Sequence, residues 1–312
     1  MGKIAFVFPG QASQYSGMGR EVHDGYPEAA RIFKKADEVI GFPISEMCFS
    51  GSEDDLKLTE NTQPAILTVS VAVLRVLYKQ GLHADYVAGH SLGEYSALVA
   101  AGALSFEDAV HAVRNRGRYM QEAVPVGVGA MAAILEASLE AVQEICDNVR
   151  DGLVLSAANI NCPGQVVIAG HAEVVEKAIG HAKKMGYRRA VRLPVSAPFH
   201  CELMRPAQEK LKQDLLALPF HDLSVPLVNN VDARIVTKGE EARDGLIRQV
   251  TGAVLWQQSV EKLVGAGVDT FLEIGPKRVL SGMIRKVARD AKVYPVERLE
   301  EIAEVVQTFK AV

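Results

Sequence analysis

Short runs of β-branched and apolar residues alternate along this chain with longer segments whose apolar positions recur at helical spacing. Residues 4–8, 86–88, 166–169, 225–228 and 270–274 predict strands, and the stretches between them predict amphipathic helices. That alternation predicts an α/β protein. Two breaks interrupt it, Pro125-Val126-Gly127-Val128-Gly129 and the segment from Pro194 to Pro198. Between them the pattern reads strand (130–135), helix (137–149), strand (153–157), strand (166–169), helix (172–185), strand (190–193), the βαββαβ order of a ferredoxin-like unit. The expected division is a discontinuous large domain, residues 1–126 and 196–312, and a small domain, residues 127–195. Gly127-x-Gly129 lacks the third glycine of a dinucleotide fingerprint and precedes a strand, so a hinge is expected there.

Composition narrows the function. The 312 residues are 48% hydrophobic and 23% charged, enough apolar material for a sizeable core. The net charge is 34 − 38 = −4, without the basic excess of a phosphate-backbone binder, so no nucleic-acid partner is expected. Cys48, Cys146, Cys162 and Cys201 form no C-x-x-C pair, and neither a metal nor a disulfide framework is expected. The apolar opening from Met1 to Pro9 is too short for a signal peptide. Residues 65–74, the longest apolar stretch, stop at Arg75, short of the ~20 residues that span a bilayer. A cytoplasmic protein without membrane contact is expected. Lys183, Lys184, Arg188, Arg189 and Arg192 cluster late in the small domain, where they form either a solvated face or an attractor for an acidic protein.

Gly89-His90-Ser91-Leu92-Gly93 matches the G-x-S-x-G nucleophile elbow, in which a strained strand-to-helix turn exposes a serine. The motif alone is weak, but a strand precedes it and the helix former Glu94-Tyr95-Ser96-Ala97-Leu98-Val99-Ala100-Ala101 follows, ending at Gly102. The serine then sits at a helix N-terminus, where free N–H groups favour an anion. A serine needs a base. His90 is adjacent but on a turn that separates neighbouring side chains. His23, His83, His111, His171, His181 and His221 lie in polar surroundings that suggest surface positions. His200 follows the apolar, proline-bent run Val195-Ser196-Ala197-Pro198-Phe199, which can carry an imidazole into a cleft or leave it satisfied by local backbone. Cys201 beside it is a rival nucleophile without a glycine frame.

In the helix expected over 106–123, Arg114 and Arg118 share a solvated face with Glu107, His111 and Gln121. Arg116 does not. Its neighbours at helical spacing are Ala109, Ala112, Val113, Tyr119, Met120 and Ala123, so its guanidinium projects toward the protein. An unpaired charge there costs several kcal/mol, so it meets either an internal carboxylate or one arriving with a substrate.

Together with Phe8-Pro9-Gly10-Gln11-Ala12-Ser13-Gln14, Thr62-Gln63-Pro64-Ala65, Arg116-Gly117, Asn161-Cys162-Pro163-Gly164-Gln165-Val166-Val167, Pro198-Phe199-His200 and Asn229-Asn230-Val231, the elbow makes the chain resemble, over essentially its whole length, the malonyl-CoA:acyl carrier protein transacylases. The resemblance implies an α/β-hydrolase-like large domain with a ferredoxin-like insert, and ping-pong transfer of malonyl from malonyl-CoA to the phosphopantetheine of acyl carrier protein, without a cofactor. It implies Ser91 as nucleophile, His200 as base, Gln11 and Leu92 as oxyanion N–H donors, Arg116 as holder of the malonate carboxylate, the Gln249 carbonyl as orienter of His200, and Gln63 in the pocket. Phe199, with Leu92, leans toward malonyl over methylmalonyl. Many relatives carry glycine where Ala12 stands. Three rivals share features: a serine esterase or phospholipase using the same elbow, a carrier-docking module suggested by Lys183 to Arg192, and an acyltransferase serving a polyketide pathway.

Overall fold

The computed structural model describes residues 2–195 and 197–310, Lys310 in backbone only. Met1, Ser196, Ala311 and Val312 lie outside the described residues, and with them the expected boundary at residue 196 and the first residue of the apolar opening. Ten strands occur among the described residues: β1 Lys3–Phe8, β2 Tyr86–Gly89, β3 Gly129–Leu135, β4 Leu155–Cys162, β5 Gln165–His171, β6 Ala190–Arg192, β7 Leu227–Val228, β8 Ile235–Val236, β9 Val268–Ile274 and β10 Lys292–Val296. They form two sheets, ordered β10-β9-β1-β2-β7-β8 and β4-β5-β3-β6.

The larger sheet is parallel except for the β7–β8 pair, and β1 lies inside it between β9 and β2. Ala5, Phe6, Val7 and Phe8 are fully buried. A strand covered on both faces needs no polar side, which is why this run is continuously apolar. Phe6, Phe8, Val87 and Leu272 pack on the side of the helix Thr59–Lys79, whereas Val7, Ala88 and Phe271 pack with Trp256. The apolar run 65–74 belongs to that first helix and is entirely buried in the core. Among the described residues no helix is long and apolar enough to cross a membrane. β8 and β10 go unannounced in the sequence. The first is two residues long, and the second contains Pro295, which lacks an N–H and is tolerated at a sheet edge.

The chain between residues 129 and 192 runs β3, helix Leu139–Val149, β4, β5, helix Ala172–Lys184, β6, with every strand pair antiparallel. The first helix starts later than its pattern suggests because the Ser138 side chain accepts from the Ala141 N–H and caps it. β4 runs on to Cys162 through two register irregularities. Alternation sorts the faces of this sheet: Ala132, Ile134, Val166 and Ile168 pack under its helices, while Met131, Val167 and Ala169 join the main core. Backbone bonds from Ile160 N–H to the Val254 oxygen and from Val254 N–H to the Ala158 oxygen, both 2.9 Å, stitch β4 to the larger unit.

Candidate active site

β2 ends at Gly89 and the helix Gly93–Ala100 begins just beyond, leaving Ser91 at the turn with φ 52°. Such a turn brings backbone against backbone. A Cβ on Gly93 would overlap the Phe8 carbonyl, and one on Gly89 would overlap the Gly93 carbonyl, so the elbow requires both glycines. Asn230 then clamps it: the Ser91 N–H donates to Asn230 Oδ1 at 2.6 Å, and Asn230 Nδ2 donates to the Gly89 oxygen at 2.6 Å. Ser91 therefore stands at the carboxyl ends of β1 and β2, where open α/β sheets bind ligands. Gln11 leaves β1 beside it, its side chain tied to Thr59 Oγ1 at 3.2 Å. The main-chain N–H groups of Gln11 and Leu92 enter no hydrogen bond among the described residues. Ala12 has φ 85°, a left-handed conformation that explains why a glycine is readily accommodated there.

His200 Nε2 lies 2.7 Å from Ser91 Oγ, and His200 Nδ1 lies 2.8 Å from the Gln249 main-chain oxygen. A carbonyl can only accept, so the ring proton resides on Nδ1 and Nε2 faces the serine as a free base. Burial, and then the nearby Arg116 charge, push the imidazole pKa down to about 3. His200 has φ 60°, so Ala12, Ser91 and His200 all hold left-handed backbone around one cavity. Its partner is a carbonyl where a generic α/β-hydrolase has a carboxylate. His90 lines the same cavity, but its Nε2 pairs with Asn161 Oδ1 at 2.9 Å and its ring packs on Trp256. His83, His111 and His221 are exposed as expected. The surface expectation needs correction for His23, His171 and His181, which are half-buried. His23 packs against Phe33 and Phe49, and His171 Nδ1 accepts from the Val154 N–H, contacts available only once the chain is folded. Cys201 is buried, donates to the Pro198 oxygen at 3.1 Å, and burial pushes its thiol up to about 12, which removes it as a nucleophile.

The helix Phe106–Glu122 carries Arg116 inward, 2% exposed. Its Nη1 donates to Gln63 Oε1 at 2.8 Å; Nη2 donates to Gln249 Oε1 at 3.0 Å and to Ser91 Oγ at 3.1 Å. The Tyr95 ring lies under the guanidinium, and Arg116 Nε has no partner. No Asp or Glu forms an ion pair with Arg116 among the described residues, so the internal-carboxylate alternative is not what this structure holds. Burial lowers the Arg116 pKa, with Tyr95 and Glu94 opposing. Arg114 departs from its expected solvated face. It is half-buried, with Nη1 donating to the Glu60 carbonyl at 2.8 Å and to Asn61 Oδ1, because the helix Thr59–Lys79 begins against it.

These groups open into a cavity of about 300 Å³ between the two sheets, walled on one side by Gln11, Gln63, Arg116 and Phe199 and on the other by Met131 and Val167. Two roles are not legible in the sequence: Asn230, which stands there only within the motif Asn229-Asn230-Val231, and Glu94, which reads as a helix former. Glu94 is fully buried. Its Oε2 accepts from the Asn230 N–H at 3.0 Å and from Gln249 Nε2 at 2.8 Å, and burial pushes its carboxyl up to about 7. In the basic cluster, Lys183, Lys184 and Arg188 are exposed without an ion pair among the described residues. Arg189 and Arg192 are paired with Glu136 at 3.3 Å and Glu176 at 2.8 Å.

Fold and cleft together are those of an acyltransferase, and residues 5–305 match the acyl transferase domain family. The chain is 50% identical over 311 residues to a malonyl CoA-acyl carrier protein transacylase of Bacillus subtilis, covering 99% of this chain and 98% of that one. A solved malonyl CoA-acyl carrier protein transacylase of Coxiella burnetii superposes with a TM-score of 0.96 at 40% identity, covering 98% of this chain and 97% of that one. A malonyl-transacylase solved in complex with a type II PKS acyl-carrier protein gives 0.96 at 41% identity, covering 98% and 99%. The chain belongs to the acyl transferase family and, within it, to the malonyl CoA-acyl carrier protein transacylases.

Proposed function

We propose that this protein moves a malonyl group from malonyl-CoA to the phosphopantetheine thiol of acyl carrier protein through a malonyl ester on Ser91. The Ser91 hydroxyl passes its proton to His200 Nε2 as its oxygen attacks the thioester carbon. The resulting oxyanion is held by the Gln11 and Leu92 N–H groups, each such donor being worth on the order of 3 kcal/mol. The carbon–sulfur bond then breaks, and CoA leaves with the proton returned by His200. The carrier thiol repeats the steps in reverse, so the transfer balances without a metal or redox cofactor. Arg116 takes the malonate carboxylate, with Gln63 steadying the guanidinium and Phe199 closing the acyl pocket. The Gln249 carbonyl fixes the tautomer of His200.

The observation that carries this reading is a serine, a free imidazole nitrogen and a buried arginine without a carboxylate, all opening into one cavity. An uncharged lipid ester would leave that arginine unpaired, which disfavours the esterase reading. The larger sheet and its helices are read as an α/β-hydrolase-like catalytic domain of residues 1–126 and 196–312. Residues 127–195 are read as a ferredoxin-like domain, supported by its strand order and antiparallel pairing. Lys183, Lys184 and Arg188, with Arg189, are placed as an approach surface for an acidic carrier, and the working compartment as the cytoplasm. Intact-mass spectrometry tests the reading. Mixing with malonyl-CoA should add one malonyl group, lost in Ser91→Ala, that moves to holo-carrier when it is added. Rapid loss to water without carrier would make the protein a hydrolase, and fatty-acid and polyketide carriers offered side by side decide the acceptor.

A further inference from the structure

Gln249 reaches the site twice. Its main-chain oxygen accepts from His200, while its buried side chain meets Arg116, Ser91, Asn230 and Glu94. Resting on the proposed malonyl transfer, we infer that Glu94 is a positioning residue for acyl selectivity, locking the Gln249 amide with its oxygen toward Arg116. The amide Nε2 donates to Glu94 Oε2 at 2.8 Å, to the Ser91 carbonyl at 3.1 Å and to Asn230 Oδ1 at 3.2 Å, while Oε1 accepts from Arg116 Nη2 at 3.0 Å. Flipping the amide would set NH₂ against the guanidinium and an oxygen against three acceptors. Glu94 Oε2 already accepts from the Asn230 N–H and so presents only an acceptor to Gln249. Glu94 does not line the cavity, so it acts through Gln249. Its Oε1 has no hydrogen-bond partner, and a half-satisfied buried carboxylate is a poor device for stability alone. Its value lies in supplying a fixed acceptor at the end of the chain Glu94–Gln249–Arg116, which holds the guanidinium in place for a substrate carboxylate.

The test is E94Q, whose side chain can donate as well as accept and so releases the Gln249 amide. Transfer from malonyl-CoA and acetyl-CoA is measured for wild type, E94Q, R116A and the double variant, with folding checked by thermal unfolding. The malonyl-to-acetyl ratio of kcat/KM should fall roughly tenfold in E94Q, as for loss of one charge-assisted hydrogen bond, chiefly through KM for malonyl-CoA. E94D, which keeps the acceptor, should recover part of the ratio, and in the R116A background E94Q should leave the ratio unchanged. A folded E94Q with the wild-type ratio would overturn the inference, as would an equal fall in both backgrounds, the mark of a merely structural role. If E94Q does not fold, E94D is read in the same two backgrounds by the same criteria. Wild-type protein that moves no malonyl would instead remove the transfer reading itself.

Discussion

Arg116→Ala separates recognition of the acyl group from the chemistry performed on it. A malonate carboxylate bound by both arms of the guanidinium makes two charge-assisted hydrogen bonds, each worth about 1.5–3 kcal/mol. Binding also exchanges a bond already made: Nη2 must surrender Ser91 Oγ at 3.1 Å, a neutral acceptor, while it keeps Gln249 Oε1. The net loss should therefore lie near the lower end, about 3 kcal/mol, or roughly 10²-fold in kcat/KM for malonyl-CoA. Acetyl-CoA should respond differently. It has no carboxylate to lose, and removing the Arg116 charge lifts one of the causes that depress the His200 pKa, which strengthens the base. Acetyl transfer should hold steady or rise. The assay follows CoA release on transfer to a pantetheine thiol for both donors, with thermal unfolding as the control for folding. Equal losses for malonyl and acetyl would refute the assignment and make Arg116 a structural residue.

Three further outcomes follow from the geometry. In E94Q, which lacks the Glu94 carboxyl that burial raises to about 7, kcat/KM for malonyl-CoA should show no histidine limb near pH 6.5 on acidification, because His200 is held neutral down to about pH 3, and a one-proton fall there would contradict the buried free base. His200→Ala should slow acylation by roughly 10²–10⁴-fold while the circular dichroism spectrum stays unchanged. Ala12→Gly should stabilise the fold by about 1 kcal/mol in urea titration, since a left-handed Ala is strained where glycine is not; destabilisation would show that the Ala12 methyl contributes more through packing.

What the sequence made legible follows from which constraints are local. Gly89 and Gly93 are forced by backbone overlap within a few residues of Ser91, so the elbow is written in one short motif. Arg116 could be placed because helical phase alone turns it inward. The βαββαβ order was readable from alternating periodicities, although Ser138 capping and the irregularities in β4 moved its boundaries. Contacts made by distant segments were not. Arg114 reads as solvated until the start of the Thr59–Lys79 helix arrives beside it, and Glu94 reads as a helix former until Asn230 and Gln249 close over it. β10 hides behind Pro295, whose tolerance depends on the strand being at an edge, a property of the sheet and not of the segment.

The central claim is that a malonyl ester on Ser91 directs its carboxylate to Arg116, and a crystal structure of the protein after reaction with malonyl-CoA in the absence of carrier tests it most directly. The account predicts density continuous with Ser91 Oγ and both carboxylate oxygens on the guanidinium, with Arg116 released from the serine. An acyl group on another residue, or a carboxylate turned to solvent while Arg116 keeps its bonds to Gln63 and Gln249, would contradict it.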